Sequence, residues 1–135
     1  MSWGAIAMAV RVLVADDEPE IRLLLRLNLA PHQDLEIVAE VGDGVSVARA
    51  AAEHRPDVVV LDWMMPGMVG IEAIPLIRKG SPRSRILMYT SRPSPRAERE
   101  ALAAGADGYL EKGTTMATLV SAIRRLGADG DGRRG

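Results

Sequence analysis

Five short runs of Val, Ile and Leu, separated by longer stretches with apolar residues at helical spacing, restrict this chain more than any other feature. Parallel strands need a crossover between them, and a helix is the usual one, so such alternation predicts repeated βα units around a parallel sheet. The strands are expected at Arg11 to Ala15, Leu35 to Val41, Asp57 to Leu61, Arg85 to Tyr89 and Gly108 to Leu110. Most are unbroken apolar runs, as strands covered on both faces require. The second alternates instead, with Leu35, Ile37, Ala39 and Val41 expected on one face and Glu36 and Glu40 on the other, which suits a wetter edge. Between the strands, helices are marked by Ile21, Leu24, Leu25 and Leu29; by Val45, Ala48, Ala51 and Ala52; by Ile71, Ile74 and Ile77; by Ala97, Ala101, Leu102 and Ala104; and by Met116, Leu119, Val120 and Ile123. Thr114 or Thr115 is suited to cap the last of these, and Gly105 to close the fourth. Pro75 removes a donor inside the third, which is therefore expected to start late or kink.

The chain has 135 residues, enough for one domain with a substantial core. Its 17 basic and 18 acidic residues give a net charge of -1, so no global field marks a nucleic-acid or membrane binder. Cysteine is absent, which removes disulfides, thiolate metal sites and thiol catalysis and fits a reducing, cytoplasmic setting. The apolar opening segment lacks the basic start of a signal peptide and is shorter than a membrane span. The expected organisation is an N-terminal extension or cloning remnant at 1–8, with Met8 as the natural start, one domain at 9–127, and a flexible tail or linker start at 128–135, where glycine and charge dominate.

In an open parallel sheet, ligands bind beyond the carboxyl ends of the strands, where the strand order reverses. The polar residues there are Asp16, Asp17 and Glu18 after the first strand, Asp62 after the third, Thr90 and Ser91 after the fourth, and Glu111 and Lys112 after the fifth. If the order is 2-1-3-4-5, Asp16, Asp17 and Asp62 meet in one crevice, where their mutual repulsion and all-oxygen donor set favour Mg²⁺. A metal, a hydroxyl at Thr90 and an ammonium at Lys112 would together cradle a phosphoryl group, with Asp62 as its acceptor.

At these residues the chain resembles the receiver domains of two-component response regulators, over about Val10 to Leu126. The resemblance rests on Val-Leu-Val-Ala-Asp-Asp-Glu-Pro at 12–19, Val-Val-Val-Leu-Asp-Trp-Met-Met-Pro-Gly-Met-Val-Gly-Ile-Glu at 58–72, Thr90, and Gly-Tyr-Leu-Glu-Lys at 108–112. It implies a flavodoxin-like (βα)5 fold with strand order 2-1-3-4-5 and helices on both faces. It also implies Asp62 as phosphoacceptor, Mg²⁺ held by Asp17, Asp62 and the Met64 backbone carbonyl, and Asp16 acting through water. Thr90 would bond the phosphoryl oxygen and draw its loop inward while Tyr109 turns into the vacated space, and Lys112 would pair with the phosphoryl group. The changed surface would be that of the fourth helix, fifth strand and fifth helix, and the phosphoryl source a histidine kinase or phosphotransfer protein. Gly113, where many receivers carry a cis proline, and Gly-Ala-Asp-Gly-Tyr-Leu at 105–110 look like receivers that precede a LuxR-type helix-turn-helix output. That implies a transcription regulator, a possible homodimer, and DNA contact only through an output domain absent from this chain.

Other readings stand beside this one. Asp-Asp-Glu-Pro also fits plain helix capping, and Met64, Met65 and Met68 fit gap filling. His32 and His54 have no partner at metal-ligand spacing. A receiver-like docking module insensitive to phosphorylation needs the same fold, whereas an aspartyl-phosphate phosphatase needs an acid where Met64 stands. Ser91 and Arg92 lie beside Thr90, where either could alter the lifetime of a phosphoryl group.

Overall fold

The computed structural model describes residues 9–134, with side chains as far as Ala128. The expected extension at 1–8 and Gly135 lie outside the described residues. Strands β1 (Val10–Ala15), β2 (Leu35–Val41), β3 (Val58–Asp62), β4 (Arg85–Thr90) and β5 (Gly108–Glu111) form one parallel sheet in the order β2-β1-β3-β4-β5. Helices α1 (Pro19–Leu29), α2 (Gly44–His54), α3 (Gly70–Gly80), α4 (Pro95–Ala104) and α5 (Met116–Arg134) complete the (βα)5 arrangement, which is flavodoxin-like as expected. A two-residue ribbon, Met64–Met65 against Met68–Val69, follows β3.

Side chains alternate across a strand, and that period divides the core in two. Val12, Val14, Val58, Val60, Leu87 and Tyr89 face α1 and α5, where they meet Leu25, Leu29, Leu119 and Ile123. Leu13, Ala15, Val59, Leu61, Ile86 and Met88 face the opposite layer and meet Val47 and Ala51 of α2, Ile74 and Ile77 of α3, and Ala101 of α4. Carried to the carboxyl ends of the strands and one step beyond, the same alternation puts Asp16, Asp62 and Lys112 on the α1/α5 side, and Thr90 and Tyr109 on the other.

Several expected faces need correction. β2 is an edge strand, but its apolar residues do not share a face. Val12 pairs with Ile37 while Leu13 pairs with Ala39, so Val38 is an extra residue in a bulge. One extra residue inverts the pleat: Leu35 and Ile37 pack with the α1/α5 core, Ala39 and Val41 with the opposite one. Glu40 is thereby turned toward α1, where Arg26 grips it at 2.7 and 2.8 Å. On α2 the buried side is Val47, Ala50 and Ala51, and Val45 is exposed. On α4 only Ala101 is buried, while Leu102 lies 47% exposed.

The expected ends are present. The Thr118 backbone N–H donates to Thr115 Oγ1 at the start of α5, and Gly105 closes α4 in the left-handed conformation. Pro75 lies within α3, which neither starts late nor stops there. It occupies the solvent side, where the carbonyl that loses its helical donor can bond water instead. α5 runs on to Arg134, beyond the point where glycines predict a tail; Gly127 packs closely on Val10, and nothing in the described packing accounts for the helix past that point.

Candidate functional site

Strands β1, β3 and β4 deliver the polar residues at their carboxyl ends to one crevice, because the three are neighbours in the sheet. Asp16, Asp17 and Asp62 each bring a carboxylate oxygen within 4.8 Å of the others. Asp16 and Asp62 are buried at 2% and 6% exposure, while Asp17 is exposed. Asp16 Oδ1 accepts the Glu18 backbone N–H at 2.9 Å, which folds the acidic loop over the end of β1. Arg22 of α1 donates to the Asp16 carbonyl and steadies the same loop from below.

β5 supplies the counter-charge. Its end is tied to β4 by the Lys112 backbone N–H donating to the Thr90 carbonyl at 2.7 Å. The Lys112 ammonium lies 2.8 Å from Asp16 Oδ2, 3.2 Å from Asp62 Oδ1 and 3.5 Å from Glu18 Oε1, with its side chain 7% exposed. These are ion pairs whose angles fall short of good hydrogen bonds. One ammonium thus serves several acids, and the electrostatics show the deficit. Burial, and then the charge of Asp16, push the Asp62 carboxyl up to about 7. Burial likewise raises Asp16, against the pull of Lys112 and the Glu18 N–H. Burial would lower Lys112, but Asp16 and Asp62 outweigh it and hold the ammonium above its ordinary range.

The backbone after Asp62 is set by glycine. A Cβ on Gly70 would lie 2.2 Å from the Asp62 carbonyl oxygen, so only glycine lets the ribbon fold back against the end of β3 and start α3 there. The Val69 backbone N–H donates to Glu72 Oε1 at 3.1 Å and secures that start. The result is a cleft of about 560 Å³ over Asp62, walled by Asp17, Glu18, Trp63, Met64, Thr90, Ser91 and Arg92.

Thr90 is buried, and its Oγ1 accepts the Arg92 backbone N–H at 3.1 Å, leaving the hydroxyl proton free to donate into the cleft. Tyr109 is half-buried against the α2/α3/α4 core, and its hydroxyl accepts the Ser94 backbone N–H at 3.4 Å just before α4. Every residue expected at the site therefore comes to the same end of the sheet. Asp16, Asp17, Asp62 and Lys112 meet directly, and Thr90 lines the cleft. Tyr109 stands behind, linked to the β4–α4 loop.

The donor set fits a hard divalent cation: three converging carboxylate oxygens, two of them buried and short of positive charge. Trp63 and Arg22 were not singled out by the sequence pattern. Trp63 is visible only as a neighbour of Asp62, and Arg22 only as a cation within an otherwise apolar helix. Tyr89 is marked by the sequence only as a strand residue. It is fully buried, and its hydroxyl meets no hydrogen-bond partner among the described residues, a defect that typically costs about 1–3 kcal/mol.

Residues 12–124 match the response regulator receiver domain. The response regulator protein VraR of Staphylococcus epidermidis is 32% identical over 118 residues, which is 87% of this chain and 56% of that protein. VraR of Staphylococcus aureus is 33% identical over the same shares. The chain thus spans about half the length of the curated relatives it matches. Among solved structures, a LuxR-family two-component response regulator from Aurantimonas sp. SI85-9A1 superimposes with a TM-score of 0.84 at 35% identity, over 90% of this chain and 86% of its own. The signal receiver domain of the putative response regulator NarL from Mycobacterium tuberculosis does so with a TM-score of 0.84 at 32% identity, over 89% and 97%.

Proposed function

The chain belongs to the response regulator receiver family, and on that premise we propose that Asp62 accepts a phosphoryl group in a Mg²⁺-dependent reaction that switches the α4–β5–α5 surface. The observation that carries this reading is the convergence of Asp16, Asp17 and Asp62 beside a single buried ammonium, with Asp62 at the floor of an open cleft. Mg²⁺ bound by Asp17, Asp62 and the Met64 carbonyl, with Asp16 acting through water, would neutralise charge on the transferred oxygens.

The protein's own residues do the rest. An ionised Asp62 oxygen attacks phosphorus in line, an O–P bond forms, and the bond from phosphorus to the donor breaks with its electron pair leaving on the donor. Lys112 moves from the carboxylates to the phosphoryl oxygens. Thr90 donates its free hydroxyl proton to another of those oxygens, which draws the β4–α4 loop inward. That movement disturbs the Ser94 N–H to Tyr109 Oη bond, so Tyr109 can turn into the space that Thr90 leaves. The altered surface is then read by whatever follows.

The phosphoryl donor is a histidine kinase or phosphotransfer protein. By likeness to LuxR-family relatives, one of them a DNA-binding response regulator from Staphylococcus aureus, the output is transcription through a DNA-binding domain, in the cytoplasm. Among the described residues no helix is long and apolar enough to cross a membrane. A phosphatase is disfavoured because Met64, two residues past Asp62, is 60% exposed at the cleft and has no proton to give.

Intact mass after incubation with acetyl phosphate, with and without Mg²⁺, tests the reading. The expected result is one Mg²⁺-dependent phosphoryl adduct that Asp62→Asn abolishes. No adduct under any condition would leave a docking module as the better account.

A further inference from the structure

Tyr89 is a core residue with a polar end that the packing does not need. Its ring fills the α1/α5 core at 0% exposure, and its hydroxyl has no partner among the described residues. A phenylalanine would fill the same space without burying that oxygen. Tyr89 is the register neighbour of Asp62 on one side and Leu110 on the other. By strand alternation it faces the same side as Asp16, Asp62 and Lys112, level with the two carboxylates and two residues short of Lys112 in register. The charges of Lys112 and Asp16 both reach it, acting in opposite directions on a phenol that burial already makes less acidic.

The Lys112 ammonium beyond it is also buried, and it rests on Asp16 and Asp62 as ion pairs. In the reading above Asp62 binds the divalent cation directly and Asp16 holds it through water, so both carboxylates turn toward it. A cation arriving there would repel the ammonium from oxygens it now holds at 2.8 and 3.2 Å. Its remaining nearby acid, Glu18, stands at the mouth with its side chain 48% exposed, and moving there would carry Lys112 away from the transferred group. An ammonium has three donors and no acceptor, whereas a phenol oxygen can accept a charge-assisted bond.

We propose that Tyr89 is a positioning residue whose hydroxyl oxygen takes a hydrogen bond from Lys112 when a divalent cation is held by Asp17 and Asp62 with Asp16 on its water, keeping the ammonium inside the site. This rests on the reading of the acidic cluster as a Mg²⁺ and phosphoryl site. It also explains why an unpartnered hydroxyl is kept in the core: its partner arrives with the metal.

The test compares the whole chain with Tyr89→Phe, first in EDTA and then during a Mg²⁺ titration followed by tryptophan emission and by the ¹³Cζ resonance of labelled tyrosine. Metal-free Tyr89→Phe should melt at or above the temperature of the parent chain, yet bind Mg²⁺ about tenfold more weakly. In the parent, the tyrosine resonance that the substitution removes should shift as Mg²⁺ binds. On a Lys112→Met background, Tyr89→Phe should no longer change Mg²⁺ affinity. Equal Mg²⁺ affinity of Tyr89→Phe and the parent would overturn the inference alone. So would a loss of stability and of affinity together with a resonance that Mg²⁺ leaves unmoved, because that pattern is purely structural. A parent chain that gives no response to Mg²⁺ would overturn the reading of the site, and this inference with it.

Discussion

The two ends of the sheet hold buried charge in opposite ways. At the amino end of β4 and β5, Asp107 is matched from all sides: Oδ2 accepts from Arg78 at 2.7 Å and from the Ile86 backbone N–H at 2.8 Å, and Oδ1 from Arg85 at 2.9 Å. Arg78 also donates to the Ser84 and Gly105 carbonyls, so the network ties α3 to the segments on either side of β4 and α4. Burial would raise Asp107, yet the Ile86 N–H and the two guanidiniums hold it below the ordinary carboxylate range. At the carboxyl end the ratio is inverted, with Lys112 alone among Asp16, Asp62 and Glu18, and Asp62 pushed up to about 7. One end spends its polar groups on holding the elements together. The other is left short of positive charge, and a ligand cation can make up that shortfall.

If so, acidic groups at the two ends should answer removal with opposite signs. The largest effect is expected for Asp107→Ala, which takes the acceptor from the buried Arg85 guanidinium and the Ile86 N–H and one of three from Arg78. A loss of about 3 kcal/mol in urea unfolding is expected, with little dependence on Mg²⁺. A loss under 1 kcal/mol would show that the amino-end network is ornamental and the comparison misdrawn.

The next effect runs the other way. Asp62 has a folded pKa of about 7 against an ordinary value of 3.8, so between those values the folded chain binds a proton that the unfolded chain does not. Metal-free stability therefore falls as pH rises through that window, and the loss is complete above it. Asp62→Asn should flatten the profile and stabilise the metal-free chain by about 2 kcal/mol at pH 8, while remaining close to the parent at pH 4. Saturating Mg²⁺ should restore the parent and do less for the variant. A metal-free parent more stable at pH 8 than at pH 5 would contradict the assignment of strain to this end.

The carboxyl-end site was legible in the sequence because each apolar run stops abruptly at a polar residue, and a parallel sheet leaves few places for such residues to go. The amino-end network was not. Asp107 lies 29 residues from Arg78 and 22 from Arg85, and no local pattern links them; an arginine at the head of the run Arg85 to Thr90 was the one available cue. The bulge in β2 was hidden because Val38 is itself apolar, so an inserted residue left the letters looking like uninterrupted alternation. The buried face of α2 is hidden in the sequence for a similar reason: its alanines fit several faces equally well, and only packing against α3 and β1 decides among them. The Lys112 side chain, expected with a phosphoryl group, rests on Asp16 and Asp62, a pairing that needs the spatial adjacency of β1, β3 and the end of β5.

The smallest effect separates burial from pairing. Arg124 of α5 donates to both oxygens of Asp34, at 2.6 and 3.1 Å, just before β2 begins, so this pair also lies at the amino end. Its geometry is as good as that around Asp107, and the Arg124 guanidinium holds the Asp34 carboxyl below its ordinary range. The difference is water: these side chains are 46% and 49% exposed, against 7% for Arg85 and 17% for Asp107. An exposed pair exchanges good solvation for a screened attraction and the cost of ordering two side chains. Arg124→Ala should therefore change the stability by no more than about 0.5 kcal/mol, and the difference should vanish in 1 M salt, roughly where the screening length falls to about 3 Å. A loss as large as that of Asp107→Ala would mean that pairing itself, rather than pairing out of reach of water, anchors this end of the sheet.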